Sequence, residues 1–356
     1  MVMMGVLTQM LPVLAGVTIP KVLWVSRIVH LLMGIGAFLF PLGMVMMNHT
    51  LIQVGALSVW FSLLIFYSIT LISLQKGIQS FTITSFKLSS LSAFMTLVLA
   101  GRLAWGWADF GEFSLYRSPM IELHIAWAFF GMVFTLLMGV SYKVVPMFYV
   151  TADHPKWLTH HGSKIIFSLL LLWTLIFQTY IFEKMTWLQN LIPFIKGAIS
   201  IVVIAFSFET IKRLNNRKRP ITDTSIIYWK LSMVLFFLGA ILYNISQLYL
   251  FATVSFGLAI LSLISGMLYK IIPFLIWFHL SAKGLKSVPT MRELLPDRLT
   301  RKQLYLHFCT MGSLILIIFF PKAKILFSFF LSLSSVTTFL LLLRPVKIYR
   351  KISAPV

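Results

Sequence analysis

Acidic side chains are scarce: nine Asp and Glu stand against 30 Lys and Arg in 356 residues, and charged residues are 11% of the chain. There is one cysteine, Cys309. A single thiol excludes a disulfide framework within the chain. Set in a late apolar run, Cys309 reads as an inert packing residue. So little charge, with a mean hydropathy of +0.93 and 59% hydrophobic residues, excludes a soluble globular domain of this length. No Walker loop, dinucleotide fingerprint, nucleophile triad or zinc motif occurs. The first 19 residues lack a charged leading region and a small-residue cleavage site, so no separate signal peptide is expected. The net charge of +21 would suit nucleic acid if the cations shared a polar face. They sit instead in short segments between apolar runs, so the expected partner is a lipid bilayer and not nucleic acid.

What is present is a succession of apolar runs of membrane-spanning length. Lipid offers the backbone no hydrogen bonds, so each run must be helical. The expected class is an all-α integral membrane protein with eleven helices. The first is partial, at 1–14; the others are near 22–47, 51–74, 88–107, 120–149, 164–182, 188–208, 225–248, 252–279, 303–320 and 323–343. Alternate loops, beginning at Lys21, carry the basic clusters Lys212 to Arg219 and Lys283 to Lys302, and the tail adds Arg344, Lys347, Arg350 and Lys351. The opposite loops hold Arg117, Lys184, Lys322 and Lys324. That asymmetry assigns the rich side, and the C-terminus, to the cytoplasm.

A motif recurs along the chain. Residues 139–146 read Gly-Val-Ser-Tyr-Lys-Val-Val-Pro and residues 266–273 read Gly-Met-Leu-Tyr-Lys-Ile-Ile-Pro; Gly5 to Pro12 is a fainter copy. The glycines are 134 and 127 residues apart, and each copy closes an apolar run. Proline stops or bends a helix, and glycine admits a close neighbour. The chain is thus expected to be one polytopic domain, residues 1–356, of three pseudo-repeats of four helices. The arcs are approximately 1–107, 108–250 and 251–343, followed by a basic tail at 344–356. The repeat is parallel, about an axis along the membrane normal. Counting four helices per arc also implies that the chain begins in the middle of a helix.

Three arcs of four helices resemble the catalytic subunit of heme-copper oxidases. Gly5 to Pro12, continuing Val13-Leu14-Ala15-Gly16, resembles the end of that family's second helix, and Gly266 to Pro273 resembles the end of its tenth. On that alignment the helix at 120–149 is the sixth. The resemblance implies imidazole ligands for two hemes and a copper ion. The tenth-helix His-x-His pair maps onto Phe251, Ala252 and Thr253, and the sixth-helix copper ligand onto Leu137-Met138-Gly139; the second-helix ligand maps upstream of Met1. These departures imply an oxidase-like protein without most oxidase ligands. It is similar to the oxidase-like nitric-oxide-response membrane proteins, with at most one heme or metal. The implied setting is a bacterial cytoplasmic membrane, with respiratory-chain subunits or a second copy of the chain as partners.

Within that frame His124 is the foremost axial heme or metal ligand. It lies 22 residues before Pro146, near Glu122. His30, a few residues after Arg27, is a second cofactor-binding candidate, since ionisable groups within a membrane face a cavity or a partner. His49, after Met44, Met46 and Met47, combines imidazole and thioethers suited to copper. Lys143 and Lys270 occupy matched repeat positions; they either snorkel or contact an anion such as a heme propionate or lipid phosphate. Lys196 follows Ile192-Pro193 and resembles the proton-channel lysine of the oxidase eighth helix, so Lys196 and Glu122 are candidates for a proton or ion path. Arg102, Asp109, Glu112, Glu122 and Arg117 read as an ion-pair rim, and Trp24, Trp105, Trp107, Trp127 and Trp157 as an interfacial belt. His154, His160 and His161 read as loop residues, and His279 and His307 as helix-end residues. Two other readings stay open: a transporter or permease for a small anion or metal ion, and a structural or assembly subunit with no site of its own.

Overall fold

The computed structural model describes residues 2–106, 113–283 and 287–353, and these are helical apart from short connections. The helices are α1 (Val2–Ala15), α2 (Val22–Val45), α3 (His49–Leu74), α4 (Phe81–Gly106), α5 (Phe113–Ala126), α6 (Thr135–Tyr149), α7 (Lys156–Glu183), α8 (Ile192–Asn215), α9 (Thr224–Leu242), α10 (Tyr249–Ala282), α11 (Met291–Leu294), α12 (Asp297–Phe319) and α13 (Lys324–Ser353). A π-helix, Trp127–Phe134, joins α5 to α6 without a break. Among the described residues ten helical runs are long and apolar enough to cross a bilayer, and α1 is a shorter apolar helix. The chain is a multi-pass membrane protein.

The chain divides into two compact units, Met1–Arg213 and Leu214–Val356. In the first, α4 lies at the centre, packed against α3, α5, the π-helix, α6 and α7. In the second, α9 packs on α10, α12 on α13, and α10 also meets α13. Apolar side chains of α2 (Leu23, Leu31, Phe38) and α13 (Ile325, Phe329, Phe339) point outward, as lipid-facing helices require.

A set of contacts at matched sequence spacings occurs in each unit. In the first, Ser80 caps α4, its Oγ accepting from Ile83 N at 3.2 Å. Ser89 then donates to Met132 O at 2.6 Å, and Gly139 on α6 faces side chains of α4, where an added Cβ would fall 2.8 Å from Ser85 Cβ. In the second, Asp223 caps α9, its Oδ1 accepting from Ile226 N at 3.1 Å. Ser232 donates to Ala259 O at 2.7 Å, and a Cβ on Gly266 would fall 2.5 Å from Tyr228 Cβ. Both serines lie nine residues after the cap. Both carbonyls lie seven residues before the motif glycine.

Several expectations need correction. The helices placed at 88–107, 164–182 and 303–320 begin at Phe81, Lys156 and Asp297, and the one placed at 323–343 runs to Ser353, so most of the basic tail is helical. Apolar runs report the hydrocarbon layer, whereas a helix continues into the headgroup region until it is capped. The third motif copy does not close its helix, for α10 runs through Pro273 to Ala282. A lost N–H costs one ladder bond, and Phe274, Trp277 and Phe278 pack together on the following turns. The other two prolines precede a left-handed cap four residues on: Gly16 N bonds to Pro12 O at 3.2 Å and Val150 N to Pro146 O at 3.0 Å. His160 and His161 are helical, on α7, and His307 is buried within α12, bonded to Ser262. His154 is buried, not solvated, and Cys309 is exposed. Trp127 is fully buried instead of interfacial, while Trp24 and Trp157 are exposed as a belt requires. Asp109, Glu112 and Trp107, with the side chain of Trp105, lie outside the described residues.

Candidate functional site

The first unit contains an ion pair between membrane helices. Pro193 stands in the first turn of α8, where its missing N–H costs nothing. One turn later Lys196 projects towards α5, and its Nζ donates to Glu122 Oε1. The lysine side chain is 11% exposed and the carboxylate 37%. The ammonium also lies 5.4 Å from the ring centroid of Trp173 on α7. An ammonium in a bilayer is costly by about 3 kcal/mol on insertion scales. A carboxylate and an aromatic face both offset that cost. Lys196 and Glu122, named together from the sequence as candidates for a proton or ion path, are bonded to each other, and Glu122 is not merely part of a surface rim.

The helical run beyond α5, together with α7, also carries a buried, specifically bonded group. Trp127 donates Nε1–H to Thr174 Oγ1 at 2.8 Å, and Thr174 in turn donates to Leu170 O at 2.8 Å. The Trp127 ring stacks edge-on to Phe167, 5.4 Å between centroids. Trp127 also begins the π-helix. A π-segment widens the turn and disturbs the regular ladder. Here Ser89 takes up Met132 O, and Thr135 Oγ1 bonds to Phe130 O at 3.0 Å. Segments of this kind recur at functional sites.

His124 stands on α5 two residues beyond Glu122, hence on another face of the helix. Its Nδ1 meets Thr96 O on α4 at 3.1 Å. A carbonyl only accepts, so Nδ1 carries the proton and Nε2 presents a lone pair. Metal-binding histidines are held in this manner. The residue count from Pro146 back to His124 crosses the π-helix, however. Its face is therefore not the one that the same count reaches along the unbroken helix α10.

His30 is exposed on α2, with Nδ1 bonded to Ser26 O at 2.6 Å, and its Nε2 lies 3.9 Å from where a Cβ on Gly5 would stand. His49 opens α3 on the exposed surface, and Met44, Met46 and Met47 before it are exposed as well. Lys270 pairs with Asp223 Oδ2 in the second unit. Lys143 is exposed on α6, its Nζ 5.6 Å from the Phe81 ring centroid. Among the described residues no three His, Cys, Asp or Glu side chains gather as a metal site.

Sequence reasoning missed four features. The Trp127–Thr174 bond and the π-helix carry no local signal. The second unit holds a buried polar chain in which Tyr228 donates to Gln303 Oε1 and Gln303 Nε2 donates to Ser334 Oγ at 2.9 Å. His154, between α6 and α7, stacks on Phe206 at 5.9 Å and 8°, and its Nε2 lies 3.1 Å from Thr210 Oγ1. Burial, and then the Arg213 guanidinium, lower the His154 pKa to about 4. No family model, no curated protein and no solved structure matches this chain.

Proposed function

We propose that this chain is a membrane protein of the heme-copper-oxidase plan, with three four-helix arcs, that lacks most oxidase ligands and holds one heme or metal ion through His124. The observation carrying the cofactor part is the Nδ1–Thr96 O bond, which leaves Nε2 as the ligating lone pair. The repeat is supported by the matched pairs Ser89 with Met132 O and Ser232 with Ala259 O, and by Gly139 and Gly266, each packed against the preceding long helix. The distribution of loop cations supports a cytoplasmic C-terminus.

The residues present do not fit the full ligand set of the oxidase plan. Phe251, Ala252, Thr253, Leu137, Met138 and Gly139 offer no imidazole where the oxidase plan needs it. A three-histidine copper centre therefore does not fit, and oxygen reduction is not part of the proposal. A group bound at His124 would supply ligand sensing or single-electron chemistry suited to respiratory or nitric-oxide stress. The chain's own contribution is to fix the imidazole tautomer through Thr96. The test is a visible spectrum and elemental analysis of the purified protein. We expect a Soret band or a stoichiometric metal, lost in His124→Ala. Neither signal in the wild type would remove the cofactor and leave the helix plan standing.

The Lys196–Glu122 pair favours a second reading, a permease for a small anion or metal ion, because paired charges within a membrane mark ion pathways. Proteoliposome uptake that is abolished by Lys196→Ala, in protein free of heme and metal, would replace the first reading with this one.

A further inference from the structure

The two motif lysines stand in corresponding places but are completed differently. In the second unit Asp223 serves two roles: Oδ1 caps α9 and Oδ2 holds Lys270. In the first unit the corresponding cap is Ser80, which accepts from Ile83 N but carries no charge. The correspondence rests on geometry, since each cap lies nine residues before the serine that bonds the motif helix. Lys143 is exposed and makes no ion pair among the described residues. Asp153, the acid nearest to it in sequence, is exposed and likewise in no ion pair, and Glu209 is engaged by Lys212 and Arg213.

Around Lys143 the surface is suited to an anion. Its Nζ lies 5.6 Å from the Phe81 ring. The His160 ring lies 6.0 Å from the same ring, but its Nδ1 gives its proton to Lys156 O at 2.9 Å, so the neutral imidazole leaves no N–H for an anion. The first turns of α4 and α7, with their N-terminal partial charges, lie beside the last turns of α6, where the Tyr142 ring meets Phe81 at 5.8 Å and its hydroxyl donates to Leu158 O at 3.1 Å. The ends of membrane helices lie at the depth of lipid phosphates. We propose that Lys143, at the first turn of α4, binds a phosphate group, supplied by an anionic lipid, in the place that the Asp223 carboxylate fills beside Lys270. The site is independent of any cofactor at His124.

The internal comparison supplies the decisive variant. Ser80→Asp keeps a good cap, because Asp and Ser are equivalent at that position, and it installs the counter-ion found in the second unit. The experiment is native mass spectrometry of the full chain after exchange into phosphatidylglycerol or phosphatidylcholine, with thermal unfolding in each lipid and with millimolar inorganic phosphate. The expected result is retention of phosphatidylglycerol over phosphatidylcholine by about fivefold, the size of one cation at an anionic surface. That preference should vanish in Lys143→Gln and in Ser80→Asp, while both variants unfold at the wild-type temperature in phosphatidylcholine. Stabilisation of wild type but not Lys143→Gln by inorganic phosphate, with no lipid preference, would keep the phosphate site and reassign its source. Equal retention of phosphatidylglycerol by wild type and both variants, or no response to either form of phosphate, would overturn the proposal.

Discussion

Lys196 and Glu122 are 74 residues apart in sequence and bonded to each other between α8 and α5, with the Trp173 ring closing over the ammonium. Breaking a buried pair leaves one charge uncompensated, which costs more than removing both. Because Glu122 is 37% exposed, part of its charge is screened and the upper end of the usual penalty does not apply. Glu122→Gln or Lys196→Met alone is expected to destabilise the protein by about 2 kcal/mol. The double variant should lose less than the sum, with a coupling of about 1 kcal/mol. Denaturation of the four proteins in one detergent measures this, and strict additivity would show that the pair contributes nothing.

The ten spans were legible because bilayer thickness dictates the length of an apolar run. Helix starts at Phe81, Lys156 and Asp297 were not, because the turns outside the hydrocarbon are polar and hydropathy is silent about them. Lys196 and Glu122 were each visible as charges in lipid, yet their pairing depends on how α5 and α8 pack. The π-helix depends on a tertiary donor, Ser89, and a buried tryptophan, neither of which leaves a periodic trace. His154 was misread because a short polar loop between α6 and α7 usually faces water, whereas this one is covered by Phe206 and Tyr142.

Two of the motif glycines, Gly139 and Gly266, are expected to be intolerant of a single methyl group. A Cβ at Gly266 would meet Tyr228 Cβ at 2.5 Å, and one at Gly139 would meet Ser85 Cβ at 2.8 Å. Overpacking of that kind costs about 1–3 kcal/mol. Gly257 and Gly312 have nothing within 4 Å of the added atom, so alanine there should be neutral or stabilise by up to ~1 kcal/mol through helix propensity. Thermal unfolding of the four alanine variants separates the two classes. Equal behaviour would mean that the helix pairs are not this closely packed.

Ser89→Ala and Ser232→Ala should each remove one interhelical hydrogen bond to a carbonyl, at Met132 and Ala259 respectively. Such bonds between membrane helices average about 0.6 kcal/mol. The Ser89 loss is expected to be the larger, because Met132 lies in the π-helix, whose ladder is already disturbed. Unfolding in detergent reads both costs, and hydrogen exchange at residues 127–134 reads the local effect. Unchanged exchange there in Ser89→Ala would show that the π-segment holds without its external donor.

His154 should give the first unit a pH-dependent stability in mildly acidic solution. Thr210 donates its only hydroxyl proton to Phe206 O at 2.7 Å, so its oxygen accepts from His154 Nε2–H. That leaves the buried Nδ1 as a bare lone pair with no partner among the described residues. Protonating it would create a buried N–H without an acceptor, beside Arg213. The folded pKa of about 4 lies below the ordinary histidine value, so the unfolded chain binds the proton more readily. The stability from the neutral ring is therefore complete above about pH 6.5 and is lost as pH falls towards 4. In the limit this amounts to roughly 3 kcal/mol, at 1.36 kcal/mol per unit of pKa. His154→Phe keeps a ring against Phe206 and cannot titrate. The difference between wild type and this variant, followed by thermal unfolding from pH 7 to 4, isolates the histidine from the carboxylates that titrate over the same range. A difference that stays constant with pH would show that the ring is solvated, and not buried, in the membrane-embedded protein.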